Sequence, residues 1–394
     1  MAIFTLIRWT YVAINIALII GLYLNLQRAG WGRGLSVSLC LLAVVLSLAF
    51  PAARMLEGNG FCARALAFAG TFWLSFVLHT LLLLVLLGVF WCGNQVFHWV
   101  CISPERAQYW RNVALWSVIG GAFFISLLGW ANTQQPVVRE LRLETTAVTR
   151  SLRVAALSDL HLGRLVSPAY FSRLMETIAP LRPDMLLLAG DILDDYHGLD
   201  MRAVRESLAR LQPPLGVWGV LGNHEYIAGD ADTSRRLLEV GGIRILRDEW
   251  TDVGGQVLLV GRDDHSRARF LGGARRDKTL PEILADAPEA LRQRPMIVLD
   301  HQPLRLEESE AVGAFLQISG HTHNGQLFPF NFVVRWLYEN AHGYSRRART
   351  HYWVSAGVGT WGPRVRTTGR PEIVLIQIDP EPAASAASAA GTDP

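Results

Sequence analysis

Charge is what this chain has least of where it begins. Asp, Glu, Lys and Arg make up 18% of its 394 residues, and nearly all of them lie after about residue 139. A chain of this length exceeds one small domain, so the apolar first third and the charged remainder are expected to be separate parts. The net charge is only +3 and there is no dense Lys/Arg block, so the electrostatic footprint of a nucleic-acid binder is missing. Nucleic acid is not an expected partner. Cysteine is scarce as well: Cys40, Cys62, Cys92 and Cys101 all fall in the apolar third. The remainder therefore has neither a disulfide framework nor a thiolate metal site, and any metal there must use nitrogen and oxygen ligands.

What the first third does have is long apolar runs. Four stretches reach the roughly 20 residues needed to cross a hydrocarbon core: Ile3 to Leu26, Leu35 to Ala53, Ala65 to Trp91 and Asn112 to Ala131. The last three contain no Asp, Glu, Lys or Arg. A cleaved signal peptide would be shorter, with a small-residue cleavage site close behind it, and would not be followed by three more spans. Residues 1–131 are thus expected to form a four-helix transmembrane region. An even number of spans leaves the N-terminus and the remainder of the chain on one side. Six loop arginines (Arg8, Arg54, Arg64, Arg139, Arg142, Arg150) lie on that side against four (Arg28, Arg33, Arg106, Arg111) on the other, which favours a cytoplasmic domain. Cys92 and Cys101 would then share the extracytoplasmic loop, where a disulfide is permitted. His79 is the one strongly titratable side chain deep in the spans. Intramembrane ionisable groups invite a functional reading, but a transporter would need several, and a neutral histidine facing a neighbouring helix accounts for one. The membrane part reads as an anchor or a lipid-facing platform.

Residues 132–150 form a linker whose alternating VVRELRL run can supply an edge strand. From residue 151 to 380, short apolar runs each lead into a polar cluster: LRVAAL before SDLHLG, DMLLLA before GDILDD, GVWGVL before GNHEY, PMIVL before DHQP, and AFLQI before SGHTHNGQ. They read as buried strands that deliver polar residues at their C-terminal ends. Helical patterns lie between them at Pro168 to Ile178, Met201 to Leu211, Thr233 to Val240 and Leu280 to Leu291, and later strands follow at QVLLVG, HYWVSAG and EIVLIQI. The expected fold class is α/β: four N-terminal transmembrane helices followed by a two-sheet α/β sandwich with helices outside. The small, Pro-punctuated stretch 381–394 is expected to be a disordered tail.

Singly, an Asp or His after a strand is often only a cap. Here Asp159-x-His161, Gly190-Asp191, Gly222-Asn223-His224-Glu225, His301 and Gly320-His321-x-His323 occur together, giving two carboxylates, an amide oxygen and several imidazoles. That set suits a pair of divalent ions such as Mn, Fe or Zn, whereas Mg or Ca sites do not use so many histidines. If the chain is extended at Asp159-x-His161, both side chains point to one side and reach one metal. His321 and His323 can do the same, or diverge towards two metals from a loop. The glycines before the ligands permit the tight turns that gather several strand ends.

In this order the residues resemble the calcineurin-like metallophosphoesterase superfamily, with its D-x-H, G-D, G-N-H-[DE], H and G-H-x-H motifs, over roughly 152–378. SDLHLG, GDILDD, LGNHEY, GHTHNGQ, VSAGVGTWGPRVR and PEIVLIQI are most similar to a bacterial, membrane-associated phosphodiesterase branch, which implies a multi-pass protein of a bacterial inner membrane. The resemblance implies that Asp159, His161, Asp191 and His323 hold one metal and that Asn223, His301 and His321 join a bridging Asp191 on the other. His224 would stay free as a catalytic residue near the substrate. Asn324 departs from the glycine common in that branch. Two adjacent cations share and acidify a water, orient the phosphoryl group and stabilise an in-line displacement. The expected function is a membrane-anchored, metal-dependent hydrolase of phosphate esters, a phosphodiesterase or pyrophosphatase, and the anchor suggests a lipid-linked substrate. The alternative within the superfamily is a UDP-diacylglucosamine pyrophosphatase of lipid A synthesis. A membrane sensor or transporter with an inactive phosphoesterase domain is the alternative of another class. It sits badly with a full set of ligand positions. Asp194 and Asp195 either back the ligand histidines or lie in a solvated turn, and His265 is expected in a surface loop. The stretch Phe328 to Arg349 either grips an anionic or lipidic substrate at the membrane face or forms a packed rim loop.

Overall fold

The computed structural model describes residues 2–56, 60–195, 199–270 and 277–381. Two compact units result: residues 1–135 with 360–369, and residues 136–359 with 370–394.

The first unit contains α1 (Ala2–Arg28), α2 (Arg33–Met55), α3 (Phe61–Phe97) and α4 (Ala107–Asn132). Each helical segment is long and apolar enough to cross a membrane. The residues they bury are mostly small or weakly polar, including Ser36, Ala43, Ala67, Gly70, Ser75, Ala122 and Ser126, while many leucines and phenylalanines face outward. This inversion suits helices that pack in lipid, where small residues let backbones approach. At Gly70 the approach leaves no room for a side chain, since a Cβ there would lie 2.1 Å from the backbone nitrogen of Phe50 on α2. His79 is buried, and its Nδ1 lies 3.1 Å from Ser126 Oγ on α4 and 3.3 Å from Ser75 Oγ. It faces a neighbouring helix, as a lone neutral histidine would. The third helix, at 37 residues, would be about 55 Å long, well beyond a hydrocarbon core of about 30 Å, so it extends past the predicted span. Cys92 and Cys101 are free thiols, so the permitted disulfide is not formed. Residues 360–369 pack on the end of α4: Arg366 N donates to Gly129 O (2.8 Å), and a Cβ at Gly129 would meet Val365 at 2.5 Å.

The second unit is built on two six-stranded sheets. The strands are β1 (Val137–Thr145), β2 (Leu152–Leu157), β3 (Met185–Ala189), β4 (Val217–Val220), β5 (Arg244–Ile245), β6 (Glu249–Val253), β7 (Val257–Gly261), β8 (Met296–Leu299), β9 (Leu316–Ser319), β10 (Gly343–Arg347), β11 (Thr350–Val354) and β12 (Glu372–Pro380). Their orders are β1-β12-β2-β3-β4-β5 and β10-β11-β9-β8-β7-β6. The alternation of side chains along each strand explains the layering. From β2, Val154 and Ala156 face the second sheet and join Val257, Leu259 and Ile297, whereas Ala155 and Leu157 face outward onto Phe171, Leu174 and Val204. Helices α5 (Pro168–Ile178) and α6 (Met201–Leu211) supply that outer layer, and Leu280, Ile283 and Leu284 cover the far face of the second sheet. The parallel strands are buried on both faces, which is why they read as unbroken apolar runs.

Two helical expectations change. The Leu280 to Leu291 pattern is two single turns, Leu280–Ile283 and Glu289–Arg292, because Pro288 has no N–H to continue a helix. After a short α7 (Asn223–Ile227), the helix expected from Thr233 starts at Ala231 instead, where Asp230 caps it by accepting from Asp232 N at 3.0 Å; it is α8 (Ala231–Val240). The VVRELRL run forms β1, an edge strand parallel to β12. The tail expected at 381–394 lies, from residue 382 on, outside the described residues.

Candidate metal centre

The central strands β2 and β3 of one sheet and β8 and β9 of the other end at a common rim. Asp159 and His161 follow β2, Asp191 follows β3, Asn223 and His224 follow β4, His301 follows β8, and His321 and His323 follow β9. The backbone there is not extended. Asp159 (φ 52°), His161 (φ 51°), Asp191 (φ 49°), His321 (φ 70°) and His323 (φ 50°) all lie in the left-handed region. The expectation that alternation along an extended chain aims Asp159 and His161 together is therefore corrected. The chain curls back on itself, and left-handed turns point both side chains inward. Each such residue costs about 1–3 kcal/mol unless its surroundings enforce it. Here the enforcement is visible, since Asp159 N donates to Gly190 O (3.0 Å), His161 N to Asp191 O (2.9 Å) and Gly359 N to Asp159 O (2.9 Å).

The predicted ligands gather into two donor clusters. Asp159, His161 and His323 form one, and Asp191, His301 and His321 the other, with one donor atom of each residue within 4.8 Å of the others; His161 also groups in this way with Asp194 and His224. His321 and His323 thus diverge, one to each cluster. Asp191 Oδ2 lies between them, 3.2 Å from His301 Nε2 and 3.8 Å from His161 Nε2. Asn223 Oδ1 joins the second cluster at 2.8 Å from His321 Nδ1 and 3.3 Å from His301 Nε2.

These residues fit divalent ions. Asp159 Oδ2 is a buried carboxylate oxygen with no hydrogen-bond partner, and His161 Nε2 faces His323 Nε2 at 3.1 Å, two ring nitrogens converging on one space. The carbonyl of Ala189, 2.8 Å from His301 Nδ1, can only accept. Nδ1 therefore carries a proton, and Nε2, 3.2 Å from Asp191 Oδ2, is the nitrogen that would face an ion, an arrangement usual for metal-binding histidine. Burial, aided by the charge of His301, pushes the His321 imidazole down to about 3, so it is a neutral donor. Burial raises the Asp159 carboxyl. It would raise Asp191 as well, but His301 and His224 hold that group well below the usual carboxylate range.

The Metallophos family model, calcineurin-like phosphoesterase, matches residues 152–325. An uncharacterized metallophosphoesterase of Aquifex aeolicus is 32% identical over 250 residues, covering 61% of this chain and 91% of that protein. The chain belongs to the calcineurin-like phosphoesterase family. The transmembrane protein with metallophosphoesterase domain of Danio rerio is 28% identical over 351 residues, 82% of this chain and 77% of that protein. A metallophosphoesterase of Campylobacter jejuni is 29% identical over 244 residues, and the chain spans 63% of its length. Among solved structures, the TT1561 protein of Thermus thermophilus is 13% identical with a TM-score of 0.34, over 52% of this chain and 90% of that one. This calcineurin-like phosphoesterase is therefore a metal-dependent, membrane-associated enzyme, and the two clusters are its candidate metal-binding residues.

The surroundings of the centre decide one open alternative and correct one expectation. Asp194, though in a half-exposed bend, backs the histidines: its Oδ1 lies 2.7 Å from His224 Nδ1 and 3.6 Å from His161 Nδ1. Asp195 instead pairs with Arg164 at 3.9 Å. His265 is not in an exposed loop either. Its side chain is 9% exposed and held 2.9 Å from Asp277, beside a buried Arg262 that pairs with Asp300 (3.0 Å) and with Glu308. The carboxylates of Asp277 and Asp300, the latter 3.8 Å from its Nε2, hold it there. At Asn324, φ is 49°, a conformation asparagine tolerates better than most residues, so the departure from glycine is accommodated.

Glu225 belongs to a motif but had no role assigned from sequence. Fully buried, it accepts from Ile192 N (2.7 Å), Leu193 N (2.8 Å) and Gly222 N (2.7 Å), and so ties the Asp191 loop to the Asn223 loop. Burial and the nearby Asp191 push its carboxyl up to about 7 against the pull of those donors. The signal was the acidic residue of GNHE, whose partners lie about thirty residues earlier in the chain.

Because Asp191 stands between the clusters, Asp191→Ala should lose all bound divalent metal while its far-ultraviolet circular dichroism stays native. Elemental analysis of the purified full-length variant checks this, and a full complement of metal in it would remove Asp191 from its shared position.

Proposed function

We propose that this phosphoesterase is a phosphodiesterase or pyrophosphatase that works with two divalent ions on an amphiphilic, lipid-linked phosphate. The observation that carries it is the split of the donor set around Asp191. Asp159, His161, Asp191 and His323 would hold one ion, and Asp191, Asn223, His301 and His321 the other. The imidazole-rich set favours Mn, Fe or Zn. When bound, such ions polarise the phosphoryl group and lower the pKa of an attacking water.

His224 belongs to neither expected ligand set but lies beside His161 and Asp194. Its backbone N–H donates to Asp191 Oδ1 (2.8 Å), and its ring packs edge-on against His161 at 4.5 Å between centroids. Burial pulls the imidazole down, but Asp191 and Asp194 outweigh it and push it up to about 9. Both carboxylates therefore favour the protonated ring. With Nδ1–H held by Asp194, Nε2–H is left to donate. As the P–O bond to the leaving group breaks, that oxygen takes the Nε2 proton, leaving a neutral imidazole oriented by the same carboxylate.

The anchor supports a substrate that itself resides in the membrane, and lipid-linked pyrophosphates such as UDP-diacylglucosamine belong in the first screen, with the purified Mn-loaded enzyme. The arginine asymmetry of the loops supports a bacterial inner-membrane protein with its catalytic domain in the cytoplasm.

Three outcomes follow from this reading. His224→Ala should keep its metal but lose roughly 10²–10⁴-fold in turnover of an alkyl phosphodiester. A nitrophenyl ester, whose phenolate leaves unaided, should suffer much less. A loss of equal size on both would assign His224 to charge stabilisation rather than proton donation. In detergent, the full-length enzyme should hydrolyse an amphiphilic diester or pyrophosphate faster than the matching water-soluble headgroup, and equal rates would remove the lipid-linked substrate. Protease added to spheroplasts should leave the catalytic domain intact, whereas its cleavage would place the domain outside.

A further inference from the structure

The helix Phe330–Leu337, with sequence FNFVVRWL, buries none of its residues. Elsewhere in the domain an amphipathic helix spends its apolar face on the core, as α5 does with Phe171, Leu174 and Ile178. Here that face is presented outward: Trp336 is 84% exposed, Leu337 60%, Phe332 59% and Val333 45%. A contiguous apolar surface of this kind marks an interaction site.

Its composition selects the partner. From Gln326 to Tyr338 there is no acidic residue, and the single charge is Arg335. Arg346 and Arg349 are exposed a few residues further on. Aromatic and aliphatic side chains flanked by arginine suit the boundary between headgroups and acyl chains, where the rings sit at headgroup level and guanidinium groups meet anionic lipid. Covalent reach agrees. Only residues 133–136 separate α4 from β1, a connection of at most roughly 17 Å.

The helix is fastened to the His321/His323 loop at both ends. At its start, Gly325, two residues after His323, has φ 74°, and a Cβ there would lie 2.3 Å from Asn331 N and 2.4 Å from Phe330 C. At its end, the Tyr338 ring meets the His321 ring edge-on at 6.0 Å between centroids.

We propose that the Phe330–Leu337 helix embeds its aromatic face in the bilayer interface and thereby fixes the His321/His323 loop at the level of lipid phosphates. The embedding stands on the helix itself, while its use in presenting substrate rests on the amphiphilic reading given above.

The test uses the full-length chain in nanodiscs containing phosphatidylglycerol, with Cys40, Cys62, Cys92 and Cys101 changed to serine. A nitroxide is placed through Trp336→Cys, or through Glu176→Cys on α5, an exposed position away from the helix. Accessibility to lipid-soluble oxygen relative to a water-soluble nickel chelate should be at least about tenfold higher at 336 than at 176. A ratio within about twofold at the two positions would overturn the proposal. So would a label at 336 shielded from both reagents, which would mean that protein, such as a second copy, covers the helix. Phe332→Cys, on the same face, is measured alongside, so that a Trp336 variant that fails to fold does not decide the result. Hydrolysis of bis(4-nitrophenyl) phosphate by each labelled chain separates the two readings. Activity with the label in water defeats the embedding alone. A label in lipid on a chain whose unlabelled form hydrolyses no phosphoester defeats the enzymatic reading alone.

Discussion

Two carboxylates buried side by side, Asp159 and Asp191, are the constraint around which the catalytic domain is arranged. Charge taken out of water is expensive unless it is paired or bound to a cation. The domain meets that cost with imidazoles from four different loops and with backbone N–H groups, such as those of His321 and His224, each donating to one of the two carboxylates. What remains uncompensated is Asp159 Oδ2, which points to the metal ions that complete the balance.

That balance explains the strained backbone at the rim. Five clustered donors sit at positive φ, held by hydrogen bonds between loops that follow different strands. Glu225 performs the same task at one remove, because its two carboxylate oxygens bind three N–H groups of two loops. The close approach of those loops leaves no room for side chains: a Cβ at Gly222 would lie 2.2 Å from Asp191 Oδ1, and one at Gly190 would lie 2.6 Å from the ring of His301. Glycine stands at these positions because the clustered donor side chains occupy the space around it.

The membrane unit obeys a different logic. Its helices bury alanine, serine and glycine and turn leucine and phenylalanine outward, since in lipid there is no gain in hiding apolar surface and close backbone contact holds the bundle together. Nδ1 of His79 meets Ser75 and Ser126 within that bundle and adds a polar fastening between α3 and α4. The Phe330–Leu337 helix in the catalytic domain shares the outward apolar habit of the spans, and among the described residues it alone of that domain's longer helices buries no side chain.

Composition and periodicity alone were enough for the apolar spans, the buried strands and the motif residues, because these depend on local chemistry: a run of apolar residues, an alternation, a glycine before a histidine. The spacing of His321 and His323 left their division between two clusters open, and only the family resemblance implied it, since it depends on left-handed turns that the packing of neighbouring loops enforces. Not legible were the burial of His265, held by Asp277 and Asp300, or the pairing of Asp194 with His224, for both join residues well separated in the chain. The break between Leu280 and Leu291 could have been read from Pro288. For the exposed face of Phe330–Leu337, sequence left open a packed rim loop and a stretch that grips substrate at the membrane face. An amphipathic pattern states that one face is apolar, and only the tertiary structure decides whether the protein's own core covers it.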